Sequence, residues 1–121
     1  MLSPEDILRM MDLVRHVPIA SHLKSYIAKL VQATHPELDG SLPNVKQYVK
    51  YGSSPRGAQA IALTSKVSAI QDGRYNVSYE DIYANLFNSL RHRLILSFEG
   101  EAEGVAADTI LGEIFKSVPK E

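Results

Sequence analysis

Cysteine is missing from this sequence, and so is tryptophan. Without thiols there is no disulfide framework, no thiolate metal site and no sulfur nucleophile. That composition fits a reducing compartment, and the cytoplasm is the expected location. An excess of charge is also missing. Thirteen Lys and Arg stand against fourteen Asp and Glu, a formal net charge of −1. Broad affinity for polyanions rests on surplus Lys and Arg neutralising phosphates, so nucleic acid is not an expected partner. Long apolar runs are missing as well. The opening "MLSPEDILRMMDLVRHVP" carries acids early and lacks the continuous apolar core of a signal peptide. No stretch approaches the ~20 apolar residues that cross a bilayer, so membrane insertion is not expected.

The usual signatures of chemistry are equally scarce. There is no G-x-x-x-x-G-K-[ST] phosphate loop, so the chain cannot cradle a nucleoside triphosphate alone. His16, His22, His35 and His92 include no i, i+4 pair and no nearby cysteine, so no metal site is expected. His16 and His35 are read instead as last-turn residues, where a partly positive ring suits a helix dipole. "SHLK" at 21–24 has the S-x-x-K form of some serine acylases but none of its companion elements, and is read as coincidence. The six tyrosines are not interleaved with basic residues as a stacking platform; core and rim packing accounts for them.

What is present is helical punctuation and helical spacing. The chain has 121 residues, 45% of them apolar, enough for one packed core. In "LSPEDI", Ser3 caps, Pro4 takes the first helical position and Asp6 completes a capping box, with Leu2 and Ile7 as a hydrophobic staple. Ile7, Met10, Met11, Val14 and Val17 continue that helix to Pro18. A second carries Leu23, Tyr26, Ile27, Leu30 and Val31 and stops near His35, because Pro36 disfavours a helical residue before it. Residues 36–44 read as loop, and "VKQYVKY" as a short helical turn closed by Gly52. The third main helix is capped by Ser54, starts at Pro55 and ends at Gly73, with a stripe of Ala60, Ile61, Leu63, Thr64, Val67 and Ile70. A fourth starts at Ser78 with Asp81 three residues on and Val77 and Ile82 as staple, and breaks around Asn88. "LILSF" at 94–98 fits either an extended piece or a helix tail, and "EGEAEGVA" reads as loop. Ile110, Leu111, Ile114, Phe115 and Val118 mark the last helix. The expected fold is all-α, a small bundle of about five helices.

Two arginine-bearing places stand out. Arg91, His92 and Arg93 form "RHR", by composition a solvated helix end stabilised by the C-terminal dipole. Arg56 follows Pro55 in a helix's first turn, where unpaired N–H groups already create partial positive charge. One reading is an ordinary surface arginine. The other is an anion sensor, in which amides, dipole and guanidinium act together and Pro55 aims the turn; guanidinium grips phosphate oxygens with a two-pronged geometry lysine lacks.

The segment "YVKYGSSPRGAQAIALTSKVSAIQDGRYNVSYEDI…LRHRLILSFEGEAEGV" closely resembles the C-terminal lid of MoxR-family AAA+ ATPases. The strong similarity covers residues 45–112, and the helices at 3–35 fit the start of the same lid. The resemblance implies that residues 1–121 are a single lid domain of AAA+ type, separated from its nucleotide-binding core, with Met1 an introduced start. It implies that Arg56 of the S-P-R motif is the sensor-2 residue, approaching a nucleotide γ-phosphate in its own or a neighbouring subunit, with Gly52, Ser54 and Pro55 forming the supporting turn. Arg91 and Arg93 match the family's R-H-R segment, which implies a structural or interface role. ATP and Mg2+ belong to the full-length protein and no cofactor to this fragment, which is expected neither to hydrolyse ATP nor to bind it well. Implied partners are the AAA+ core, neighbouring subunits of a ring, and proteins with von Willebrand A domains. The chain departs from the family at Ala106, where Thr or Ser often caps the last helix; Asp108 or a shifted start is the expected substitute. The alternative is a free-standing helical adaptor or DNA-binding domain whose basic patch is Arg56, Arg91 and Arg93.

Overall fold

The computed structural model describes residues 3–119. The elements run α1 (Pro4–Arg15), α2 (Ser21–Gln32), α3 (Pro43–Tyr48), β1 (Val49–Tyr51), α4 (Pro55–Gln71), α5 (Tyr79–Leu90), a 3₁₀ turn (Arg91–Arg93), β2 (Ile95–Leu96), α6 (Phe98–Ala102) and α7 (Ala107–Ser117). The fold is helical as expected, with seven α-helices among the described residues rather than about five, and one small antiparallel sheet pairing Val49 with Leu96 and Tyr51 with Ile95.

The core sits where α2, α4, α5 and α7 meet. All five expected residues of α2, Leu23, Tyr26, Ile27, Leu30 and Val31, are buried there. They pack with Ile61, Ile82, Leu86, Leu90, Ile110, Leu111 and Ile114. Each such side chain taken from water contributes about 1.5–3 kcal/mol, which explains why these elements rather than their weak local preferences set the architecture.

Helix starts follow the sequence closely. Asp6 N–H donates to Ser3 Oγ and Ser3 N–H to Asp6 Oδ2, both at 3.2 Å, as the capping box requires. Leu2, the other half of the expected staple, lies outside the described residues. At α5, Ser78 N–H donates to Asp81 Oδ2 at 2.9 Å. Asp81 is nearly fully buried and also receives Arg74, at 2.9 Å on Oδ2 and 2.5 Å on Oδ1. Burial pushes its carboxyl up, but the Arg74 hydrogen bond and charge and the Ser78 bonds outweigh burial and hold it below the usual carboxylate range. Gly73, at φ +73°, ends α4 in the left-handed conformation that glycine adopts without strain.

Several local expectations give way. The buried face of α4 is Gly57, Ile61, Ser65 and Ala69, so that of the expected stripe Ile61 alone is fully buried. Small residues at i, i+4 spacing let α5 approach closely, and Val67 and Ile70 instead line a recess with Met10, Leu13 and Val14 of α1. Nothing on α1 is buried: Ile7, Met10 and Met11 are about half exposed, because the helix packs on the outer side of α4. No break occurs at Asn88, since α5 runs uninterrupted to Leu90. A single Asn costs a helix well under 1 kcal/mol, too little against the three buried apolar side chains of α5, Ile82, Leu86 and Leu90. The expected turn closed by Gly52 is half right: α3 ends at Tyr48, and Val49–Tyr51 is a strand. "LILSF" resolves into β2 and the start of α6, and "EGEAEGVA" is not all loop. Ser97 accepts the Gly100 N–H at 3.1 Å to start α6, while Gly100 packs so tightly on Tyr48 that a Cβ would lie 2.8 Å from its carbonyl oxygen.

Candidate functional site

The turn that leads into α4 is fastened from three sides. Thr34, just past α2, is fully buried; its Oγ1 donates to the Val31 carbonyl at 2.6 Å and accepts the Ser53 N–H at 2.9 Å. His35 Nε2 donates to the Ser53 carbonyl at 2.8 Å, while Nδ1 faces Glu37 Oε1 at 3.0 Å. The Glu37 carboxyl is held below the usual range, first by its own backbone N–H and then, against some burial, by His35. Gly52 lies against the same threonine: a Cβ there would come within 2.6 Å of the Thr34 carbonyl oxygen. Gly57 closes the third side, where a Cβ would meet Leu90 at 2.6 Å.

On this fixed turn, Ser54 occupies the cap position of α4 with extended dihedrals, but its side chain makes no capping hydrogen bond. Pro55 is the first helical residue and has no N–H to satisfy. Arg56 comes next, exposed, and its guanidinium forms no hydrogen bond or ion pair among the described residues. A cation next to the N-terminal amides of a seventeen-residue helix is electrostatically unfavourable for that helix. The arrangement suits a ligand bearing negative charge, which the amides, the dipole and the guanidinium would all attract.

The other two arginines lie elsewhere in bonding terms. Arg91 grips Asp108 through two hydrogen bonds, both 2.7 Å, tying the 3₁₀ turn to the start of α7. That pairing raises the Arg91 pKa further above its ordinary value. Arg93 Nε donates to the Ser89 carbonyl at 2.9 Å. Asp108 is therefore occupied by Arg91, and Ala106 holds the cap position of α7 without a side-chain bond. His35 is not a last-turn residue of α2; it lies beyond Gln32 as a strut under Ser53. Thr34 and His35 carry no motif that would have marked them. Their role exists only because the chain returns to them from Ser53. Among the described residues, no group of three or more His, Asp or Glu side chains is placed to hold a metal ion.

A family model described as the AAA lid domain matches residues 43–114. The chain belongs to that family. The matched stretch takes in the whole S-P-R turn, α4, α5, the R-H-R turn and most of α7 of this lid. Chaperone MoxR1 of Mycobacterium tuberculosis is 26% identical over 97% of this chain and 31% of its own length. Uncharacterized protein YeaC of Bacillus subtilis is 30% identical over 97% of this chain and 34% of its own length. A crystal structure described as "a putative ATPase from Cytophaga hutchinsonii ATCC 33406" superposes with a TM-score of 0.90 at 33% identity, covering 95% of this chain and 35% of its own. The chain thus spans about a third of the length of the relatives it matches. The likeness to MoxR-family lids seen in the motifs extends across nearly all of it. No helix among the described residues is long and apolar enough to cross a membrane.

Proposed function

We propose that this lid regulates a MoxR-type AAA+ ATPase, coupling ATP binding and hydrolysis to chaperone-like remodelling of partner proteins, with Arg56 as sensor 2. The observation that carries the reading is the exposed, unpaired Arg56 guanidinium at the mouth of α4, on a turn held by Thr34, His35 and the tight seat of Gly57. With ATP on a nucleotide-binding core, Arg56 pairs with γ-phosphate oxygens through charge-assisted bonds. Hydrolysis removes that partner and frees the lid to turn. Because the turn is bonded to Thr34 and His35 just past α2 and seated on α5, the motion is that of the lid as a body rather than of a loop, a γ-phosphate-biased switch. ATP and Mg2+ are supplied with the core, and neighbouring subunits of a ring and proteins with von Willebrand A domains are the partners of this reading, in the cytoplasm. Likeness to a chaperone and to an ATPase supports it. Arg91 serves the lid's own structure through Asp108, which leaves the adaptor or DNA-binding alternative a weaker basic patch.

In the full-length protein, Arg56→Ala should lower ATP turnover roughly ten- to a hundredfold, the worth of one bond pair to a charged phosphate. Circular dichroism of the lid and ring assembly should be unchanged. Arg56→Lys should recover little, because the two-pronged geometry is lost. Wild-type turnover by Arg56→Ala in an intact assembly would refute the proposal.

A further inference from the structure

Ser53 is gripped at both of its backbone polar groups by two consecutive residues. Thr34 Oγ1 accepts its N–H at 2.9 Å, and His35 Nε2 lies 2.8 Å from its carbonyl oxygen. The His35 ring has a second neighbour, Glu37 Oε1, at 3.0 Å from Nδ1. Both neighbours are acceptors. A neutral imidazole carries one N–H and satisfies one of them; the imidazolium carries two and satisfies both. The backbone under the ring is itself fastened. The His35 N–H donates to the Gln32 carbonyl at 3.0 Å, and the Ser41 hydroxyl donates to the His35 carbonyl. The side chain is 30% exposed, so a proton can still reach it from solvent.

We infer that His35, as an imidazolium bridging Glu37 and the Ser53 carbonyl, is a positioning residue for Arg56 and makes the sensing turn respond to pH. The inference rests on the reading of Arg56 as the nucleotide sensor. The Ser53 carbonyl and the Ser54 N–H share one planar peptide, and that peptide leads into the cap of α4, Pro55 and Arg56. Turning it re-aims the guanidinium. When the ring loses its proton, two acceptors compete for one N–H. The carboxylate, being charged, makes the stronger bond, so the Ser53 carbonyl is left against a ring lone pair. Glu37 stays an anion throughout, because its own backbone N–H and then His35 hold its carboxyl below the usual range. The other charged residues on the surrounding elements are Lys29 of α2, Asp39 of the following loop, Lys46 of α3, Lys50 of β1 and Arg56 of α4. Among the described residues, Glu37 is the one in an ion pair with the ring. Acid therefore tightens the turn, and a rise in pH through the histidine range loosens it.

The test has two arms. In this chain, NMR follows the His35 ring and the Ser54 and Arg56 amides from about pH 5 to pH 8.5. Both amides should shift with the midpoint of the ring. In the full-length protein, ATP turnover of wild type relative to His35→Gln should fall about three- to tenfold over the same range, the worth of one bond to a carbonyl. Glutamine keeps a donor near the Nε2 position but does not titrate, and the ratio cancels ionisations elsewhere in the protein. Glu37→Gln offers an amide N–H to the neutral Nδ1, so the neutral ring is bonded at both nitrogens. Its turnover relative to His35→Gln should lose the step, with circular dichroism verifying the fold of each variant. Amides that do not follow the ring would overturn the inference, and so would a step that persists in Glu37→Gln. The amide titration is read without nucleotide, so its failure condemns the His35 link alone. Failure of the sensor reading shows instead as wild-type turnover by Arg56→Ala.

Discussion

Replacing Gly57 by alanine sets two effects of known sign against each other. In a helix, alanine is favoured over glycine by about 1 kcal/mol, so propensity alone predicts a gain. The packing predicts a loss. A Cβ at Gly57 would lie 2.0 Å from Ser53 Oγ and 2.6 Å from Leu90 Cδ2. Ordinary carbon contacts are about 3.5–4.0 Å, so Leu90 must retreat by about 1 Å. Leu90 is wholly buried within the core cluster, so its retreat must displace packed neighbours. Ser53 Oγ can swing aside only by giving up its 3.0 Å bond to the Ser54 carbonyl, and Ser53 Cβ remains 3.2 Å away. Overpacking of this kind costs about 1–3 kcal/mol. With Ser53 Oγ, Leu90 Cδ2 and Ser53 Cβ all too close, the cost falls in the upper part of that range, about 2–3 kcal/mol, and less the propensity gain the net expectation is a loss of about 1–2 kcal/mol, or about 4–10 °C in Tm, read by thermal and urea unfolding of the chain. A double mutant with Leu90→Val should be less destabilised than the sum of the single changes, by about 0.5 kcal/mol or more. A Tm for Gly57→Ala equal to or above wild type would refute the claim that α4 and α5 are seated on this glycine.

Asp81→Ala should destabilise the chain by about 3 kcal/mol, because it removes the buried partner of Arg74 and the acceptor for Ser78. The Asp81 carboxyl titrates lower folded than unfolded, so its contribution is complete above its unfolded value near pH 4 and is lost as pH falls through the folded value. Unfolding free energies between about pH 5 and 2 should therefore fall less steeply in the variant than in wild type, and parallel slopes would contradict the pairing. Thr34→Val keeps the buried shape but leaves the Ser53 N–H without its acceptor, so stability should drop by about 1–3 kcal/mol. Amide exchange at Ser53 should quicken at the same time, and an unchanged exchange rate would mean the turn is held by other means.

Several features were legible before any coordinates. The Ser3–Asp6 and Ser78–Asp81 starts were readable because capping is a contact within one turn of chain. The apolar stripe of α2 was readable because all of its buried residues fall on one face at helical spacing. The S-P-R turn was readable as a place, since Pro55 and the first turn of a helix have local signatures. What holds that turn was not. Thr34 and Ser53 are nineteen positions apart, and nothing in either neighbourhood announces the other. The same holds for β1 and β2, too short to carry a period-2 pattern and paired across the whole of α4 and α5.

The amino-acid order by itself settled that the chain is helical, where most helices begin, and that one arginine stands at the entrance of the longest of them. These follow from forces acting over a few residues: capping, proline geometry and the period of apolar side chains. Only the tertiary structure decided which face of α4 is buried, that α1 lies outside the core, and that Arg91 is spent on Asp108 while Arg56 is left open. Burial and ion pairing depend on which distant segments arrive together, and that choice is made by the summed packing of the core rather than by any residue's neighbours in sequence.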